Sequence, residues 1–290
     1  MITCDLCGGL GNQLFQIFAT INYAHQLGHE YKFTDSETSP SITPRNTYWN
    51  SLLSNLKSVT TNTFPEDIVK IKEIDFTFHD ILESSEFKEI QEKNTIKETN
   101  IMLCGYFQSY KYFEKEYEQI YKLINIENKK QSVLQSSDYT ENYLKNAISL
   151  HFRMGDYKRL QNCHPIMSYE YYEKALLYIK STNISNINQV LYFCEDEDIE
   201  DVNQIIGKLQ MKFPNDVFTR CSNLLEDWEQ LILMSLCKHN IIGNSSFSWW
   251  AAYLNSNENK IVCRPPFWFG ESIGHNINDL CPPEWNKIEF

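Results

Sequence analysis

Apolar positions along this chain follow two periods, and the switch between them lays out the elements. Residues 2–7 read as a buried strand, and Gly8-Gly9-Leu10-Gly11-Asn12-Gln13 reads as a glycine-rich turn. From Leu14 to Leu27 apolar residues recur at helical spacing, with Gly28 as the stop, and Tyr31-Lys32-Phe33 returns as a strand. Residues 34–65 are rich in Ser, Thr, Asn and Pro and read as a long connection with a short helix near 48–53. Residues 66–100 mix charge with β-branched residues and yield no assignment. A strand over 101–108 and a helix over 110–123 follow, then a polar stretch whose best linker is 131–138. The second half is more regular. Strands at 147–152, 189–194, 217–218, 241–242 and 261–263 alternate with helices at 168–180, 199–211, from a capping box at Asn223–Glu226 to Lys238, and from about 244 to 254. Strands alternating with long helices predict an α/β fold with doubly wound parallel sheets.

Composition narrows the function. Hydrophobic residues make up 42% and aromatics 14%, enough for a packed core. The net charge is −12, the pI about 5.1, and there are five arginines, so no nucleic-acid partner is expected. The first residues show no signal-peptide pattern, and no apolar window is long enough for a transmembrane segment. Cys4-x-x-Cys7 stands alone and reads as two core thiols rather than a metal or redox site. Sequons occur at Asn183 and Asn244; the second falls inside a motif assigned below to the site. A cytoplasmic location is expected.

Three segments carry chemistry. The strand over 147–152 runs into His151-Phe152-Arg153-Met154-Gly155-Asp156-Tyr157, which delivers polar side chains where open α/β sheets bind ligands. Arg153 suits bidentate phosphate contact, and His151 and Asp156 suit nucleotide contact or proton transfer; the plainer reading is an Arg153–Asp156 ion pair. Asn244-Ser245-Ser246-Phe247 precedes two tryptophans at the start of a helix, so free amides and hydroxyls form an anion site or an ordinary serine cap. The turn around Gly11 and Asn12 lacks the third glycine of a dinucleotide fingerprint and the Lys-Ser/Thr of a P-loop, so it is either a functional or a merely structural turn. The acidic run Glu195–Asp198 reads as solvated charge, and Asp227 and Glu229 as an exposed helix face.

These pieces together resemble the α-1,2-fucosyltransferase family. The resemblance rests on Cys7-Gly-Gly-Leu-Gly-Asn-Gln-Leu-Phe-Gln16, Gly105-Tyr-Phe-Gln-Ser-Tyr-Lys-Tyr-Phe113, Ser149-Leu-His-Phe-Arg-Met-Gly-Asp-Tyr157 with Tyr169-Glu-Tyr-Tyr172, the segment Leu233–Trp250, and Pro266-Phe-Trp-Phe269. It implies a GT-B-like glycosyltransferase with two facing Rossmann-like lobes and a cleft between them. The lobes would be an acceptor-side lobe over 1–146 and a nucleotide-sugar lobe over 147–290. It implies an inverting, metal-independent enzyme with no cofactor, moving L-fucose from GDP-β-L-fucose to the 2-hydroxyl of a galactoside. The partners implied are a nucleotide sugar and a glycan acceptor; oligomeric state is not implied. By position, Arg153 and Asp156 would be the catalytic pair, and His151, Gly11, Asn12, Asn244, Ser245, Ser246 and Phe247 the donor contacts. Two departures stand out: the family's second arginine is Met154 here, and a carboxylate often found in the helix of the 230s is Gln230. Two other readings stay open, a transferase for another GDP-deoxyhexose and a non-catalytic nucleotide-sugar-binding protein.

Overall fold

In the computed structural model, which describes residues 1–39, 44–182 and 187–290, the chain divides into two units. Unit 1 comprises Met1–Glu127 and His275–Pro282; unit 2 comprises Asn128–Gly274 and Pro283–Phe290. The sequon at Asn183 lies outside the described residues.

Unit 1 begins with β1 (Ile2–Cys4), α1 (Leu10–Leu27), β2 (Phe33–Thr34) and β3 (Thr60–Thr61). It continues with β4 (Ile68–Lys72), α2 (Ser85–Glu92), β5 (Asn100–Cys104) and α3 (Tyr117–Ile124). Its main sheet has the order β1-β5-β4, all parallel, and β2 pairs β3 in a second parallel ribbon. Helix α1 starts four residues before the apolar period predicts, at Leu10 rather than Leu14. The reason is tertiary. Gln13 and Gln16 are fully buried, and their amides bond the carbonyls of Gly8, Asn46 and Gly105, which holds the first turn closed despite its glycines. Gly28 ends the helix in the left-handed conformation, φ 66°, with its amide on Ala24 and His25. The unassigned stretch 66–100 supplies β4 and α2.

The expected linker at 131–138 is instead mostly helix α4 (Ile126–Ser136), followed by α5 (Glu141–Leu144). Both lie largely in unit 2, so the division falls at 127/128 rather than at 146/147. Val133 is fully buried, and the buried Lys130 ammonium bonds the Leu254 carbonyl, which ties this polar-looking segment to unit 2.

Unit 2 then runs β6 (Ala147–His151), α6 (Tyr169–Ser181), β7 (Gln189–Phe193), α7 (Ile199–Lys212) and β8 (Val217–Arg220). It closes with α8 (Asp227–Leu236), β9 (His239–Ile241), α9 (Ser246–Tyr253), β10 (Val262–Arg264) and β11 (Asn286–Lys287). The six strands are all parallel in the order β11-β10-β9-β6-β7-β8. The chain moves outward from β6 to β8, returns to the other side of β6 at β9, and moves outward again. That is the doubly wound dinucleotide-fold order, and the reversal between β6 and β9 opens a crevice at their carboxyl ends. All five residues of β6 are buried, as a central strand covered on both faces requires. The capping box of α8 uses Glu226 and Glu229 rather than Asn223, because the Asn223 amide is engaged by Asp196.

A buried polar network locks the two strands at the reversal. The Asn240 amide donates to Ser149 Oγ (2.7 Å) and the Met234 carbonyl (2.8 Å), and Asn255 donates to Asn240 Oδ1 and the Cys237 carbonyl. His239 Nδ1 accepts the Ile261 amide at 2.9 Å, a bond that requires a neutral ring at that nitrogen. Burial lowers the His239 pKa to about 4, from about 6.5 in the unfolded chain. The folded state then binds fewer protons, so this contribution is complete above pH 6.5 and is lost as pH falls toward 4. Between those limits His239 removes on the order of 3 kcal/mol of stability. Denaturant titrations at pH 7 and pH 4.5 should show a markedly smaller acid loss for His239→Gln than for the wild type.

Candidate active site

In unit 2 the residues singled out from the sequence meet at the β6/β9 reversal. His151 is the last residue of β6 and Arg153 follows two positions on, while Asn244–Phe247 join β9 to α9. Gly243 stands where these strand ends approach; a Cβ there would meet the His151 carbonyl at 3.5 Å and Arg153 Cβ at 3.7 Å.

Arg153 is the electrostatic centre. One guanidinium nitrogen donates to Glu195 Oε1 at 2.5 Å and the other to Asp156, and the guanidinium lies 4.7 Å over the Tyr157 ring. Asp156 is exposed and engaged by Arg153, so the structure gives it the geometry of the ion pair foreseen as the plainer reading. Glu195, at the end of β7, is a second counter-ion that sequence reasoning missed. The acidic run is only partly solvated charge: Glu195, Asp196 and Glu197 are exposed, but Asp198 is buried. Asp198 is buried, accepts the Gly155 amide at 2.7 Å and pairs with Lys158 at 2.7 Å, and Asp196 pairs with Arg220. The run is a clamp on the 153–159 loop, and its position at a strand's carboxyl end was the signal that could have revealed it. Gly155 is required there: its φ is +39°, and a Cβ would fall 2.9 Å from Glu195 Oε2.

His151 is buried against Phe247, with ring centroids 5.6 Å apart. Burial, with a smaller push from Arg153, lowers its pKa to about 3, so the ring is neutral, and Nδ1 has no hydrogen-bond partner. A buried, unpartnered ring nitrogen is open to a ligand's polar group. Asn244 serves mainly as a brace: its amide donates to the Pro165 and Trp268 carbonyls at 3.0 and 3.1 Å, and its carbonyl accepts from the Tyr157 hydroxyl. Ser245 is the extended N-cap of α9 and is buried, whereas Ser246 and Phe247 are half-buried. Trp249 and Trp250 are fully buried behind them, as a packed wall requires. At the other end of α9 the buried Lys130 and the partly buried Lys260 donate to carbonyls of its last turn and the residues just after it, so cations complement the C-terminal pole, while the N-terminal pole favours an anion. Beside this site is an open pocket of about 860 Å³, with Gln161, Asn162, Phe267, Phe269 and Ser272 in its wall.

Met154 is 4% exposed and packs in the unit 2 core with Phe152 and Tyr172. Gln230 donates to the Leu225 carbonyl, Glu229 completes the α8 cap, and Asp227 accepts the Trp228 amide. These departures therefore change local packing and capping. Gly11 and Asn12 lie in unit 1, in the first turn of α1; Gly11 is buried and Asn12 Oδ1 accepts from Gln108 at 2.9 Å. The steric need for glycine in that loop is at Gly8, φ +79°, where a Cβ would sit 2.4 Å from the Asn12 amide nitrogen.

A family model for glycosyl transferase family 11 matches residues 1–289. The chain belongs to that family. It is accordingly a glycosyltransferase, and family 11 membership agrees with the resemblance read from its motifs. The chain is 27% identical to the O-antigen biosynthesis glycosyltransferase WbnK of Escherichia coli, over 99% of this chain and all of that protein. It is 29% identical to an E. coli alpha-1,2-colitosyltransferase, over 66% of this chain and 63% of that protein. Among solved structures, an Arabidopsis thaliana FUT1 mutant in complex with GDP superposes with a TM-score of 0.50 at 9% identity, covering 98% of this chain and 75% of that one. That likeness concerns the fold, α/β with Rossmann-like units of the GT-B-like class. Among the described residues no helix is long and apolar enough to cross a membrane.

Two outcomes follow from the family 11 site. Met154→Arg, which would restore the family's second arginine, should cost at least about 3 kcal/mol in a urea titration, because the cation would enter an apolar core. Asp198→Ala should cost roughly 1–3 kcal/mol by leaving the Gly155 amide without its acceptor, while Lys158 keeps Asp201. It should also speed hydrogen exchange at residues 153–159.

Proposed function

We propose that the protein transfers L-fucose from GDP-β-L-fucose to the 2-hydroxyl of a galactoside, with inversion at the anomeric carbon. The observation that carries this reading is Arg153 at the switch point of the unit 2 sheet, in the crevice that also holds the N-terminal pole of α9. Unit 2 then binds the donor and unit 1 serves the acceptor side. Arg153 takes the diphosphate in place of Asp156 and Glu195, which offer it carboxylates of the same geometry. The amides and hydroxyls of Ser245 and Ser246 meet the diphosphate at the helix end. His151 supplies a neutral ring nitrogen to the nucleoside, with Phe247 as an apolar shelf. In unit 1, Gly11 and Asn12 are the residues assigned to the sugar nucleotide. Asp156 acts here as the counter-ion of Arg153 rather than as a base.

The chemistry asks for charge stabilisation on the leaving group. As the acceptor oxygen bonds to the anomeric carbon, the bond to the diphosphate breaks and its electron pair leaves with GDP. A fixed guanidinium and helix-end amides stabilise that growing charge without reorganising. The described lining of the neighbouring pocket includes one charged residue, Glu271, and no cation, so it suits a neutral sugar better than a phosphate.

A second reading has specific support: a relative of this chain is named an alpha-1,2-colitosyltransferase, and colitose is a deoxyhexose that lacks one hydroxyl of fucose. Parallel assays with GDP-fucose and GDP-colitose separate the two readings, the faster donor by kcat/KM being the substrate. GDP should raise the Tm; no stabilisation by GDP would overturn both. Transfer of radiolabelled fucose to a β-galactoside should fall about 10²–10³-fold in Arg153→Ala, and unchanged transfer would remove Arg153 from the proposed role.

A further inference from the structure

The Gly105–Phe113 motif is not used by the donor site, and its place in unit 1 leads to a residue outside every motif. Glu73 follows β4, at the carboxyl end of the unit 1 parallel sheet. Its amide bonds the Cys104 carbonyl at 2.9 Å, and its Oε2 accepts the Tyr106 amide at 2.7 Å. The side chain lies directly over Gly105: a Cβ on Gly105 would fall 2.4 Å from Glu73 Cβ and 2.6 Å from its Oε2. The motif's first residue is therefore glycine because Glu73 occupies the space a side chain would need. The turn beneath is held in an unfavourable shape, with buried Phe107 at φ +53°. From that turn Gln108 reaches back to Asn12 Oδ1 at 2.9 Å, and Gln16 of α1 grips the Gly105 carbonyl at 2.9 Å.

We propose that Glu73 is a positioning residue of the transfer reaction: its carboxylate, set against the amides of the 105–108 turn, fixes that turn so that Gln108 holds Asn12 at the head of α1. This rests on the glycosyl-transfer reading, which assigns Asn12 to the sugar nucleotide. Glu73 does not act as the acceptor's base, because its Oε1 is buried with no hydrogen-bond partner and Oε2 is committed to Tyr106.

The same geometry makes the arrangement sensitive to pH. Burial pushes the Glu73 carboxyl up to about 7, against the pull of the Phe107, Tyr106 and Gln108 amides and with a further push from Asp75. The other titratable groups facing it are Cys7, Tyr106 and Tyr112, and none of them brings a compensating cation. A proton on Oε1 would be a buried donor without an acceptor; a proton on Oε2 would compete with the Tyr106 amide. Either way the turn loosens as pH falls through 7, and Asn12 loses its hold.

The test compares wild type with Glu73→Gln from pH 5.5 to 9, reading fucosyl transfer and the Tyr106 amide resonance in labelled protein. Wild-type transfer should rise to a plateau with a midpoint near pH 7, and the Tyr106 amide should titrate with the same midpoint. Glu73→Gln, whose side chain cannot ionise, should give a flat profile about tenfold below the plateau, since misplacing a contact group costs up to about a hundredfold. Its stabilisation by GDP should equal that of wild type. A Tyr106 amide that does not titrate in wild type, or a Glu73→Gln profile that matches wild type, overturns the proposal. The wild-type resonance decides even if the variant does not fold. A titrating amide with no transfer from any GDP-sugar overturns the proposed function and leaves Glu73 as the turn's anchor.

Discussion

The reversal of strand order between β6 and β9 is the constraint on which the candidate site depends. A parallel sheet that grows in one direction sends successive loops to the same side, where they cover one another. Changing direction beside β6 leaves the loop after β6 and the loop after β9 side by side at the carboxyl ends of their strands. His151 and Arg153 sit on the first loop and Ser245–Phe247 on the second, so residues far apart in sequence become neighbours. The reversal must be held rigidly, and the Ser149–Asn240–Asn255 network holds it from inside the sheet. Fully satisfied polar groups in a buried setting fix register more sharply than apolar contact does.

Much of this was legible in the sequence, for identifiable reasons. Strands such as Ala147–His151 are short apolar runs bounded by polar turns, and in unit 2 they appeared within a residue or two of their expected ends, whereas the strands expected over 2–7 and 101–108 end at Cys4 and Cys104. The residues that meet at the strand-order reversal were legible because strand ends are where polar chemistry appears in such sheets. What could not be read were long-range partners. Glu195 and Asp198 look like solvated charge until the fold brings the end of β7 beside the loop after β6. The start of α1 was misplaced because Gln13 and Gln16 look polar by composition, yet they are buried and bond backbone carbonyls from three separate segments. The stretch 131–138 looked like a linker because its surroundings are polar, yet most of it is helix, and the buried Lys130 just before it is held by the Leu254 carbonyl.

Met154 shows what a positional comparison can and cannot carry. Arg153 and Met154 are adjacent, but a backbone leaving a strand points neighbouring side chains to opposite sides. Arg153 turns to the carboxylates, and Met154 turns into the core with Phe152 and Tyr172. The lost arginine therefore takes no contact away from Arg153. In the proposed reading, the charge offered to a diphosphate is that of the Arg153 guanidinium, together with the dipole of α9.

That arithmetic explains the two carboxylates. A lone guanidinium at the mouth of a sheet needs counter-charge when no ligand is present, and Asp156 and Glu195 supply it from opposite ends of the fork. Both are half-exposed, so releasing them to water costs little compared with uncovering a buried charge. They hold the guanidinium in a fixed plane, stacked on Tyr157, so its orientation is set before any anion arrives. A diphosphate that displaces them meets an arginine already oriented, and the ordering cost has been met by folding rather than by binding. Their negative charge also opposes weak or monovalent anions, which must displace two carboxylates with less charge. In this way a single arginine can favour a diphosphate over simpler anions.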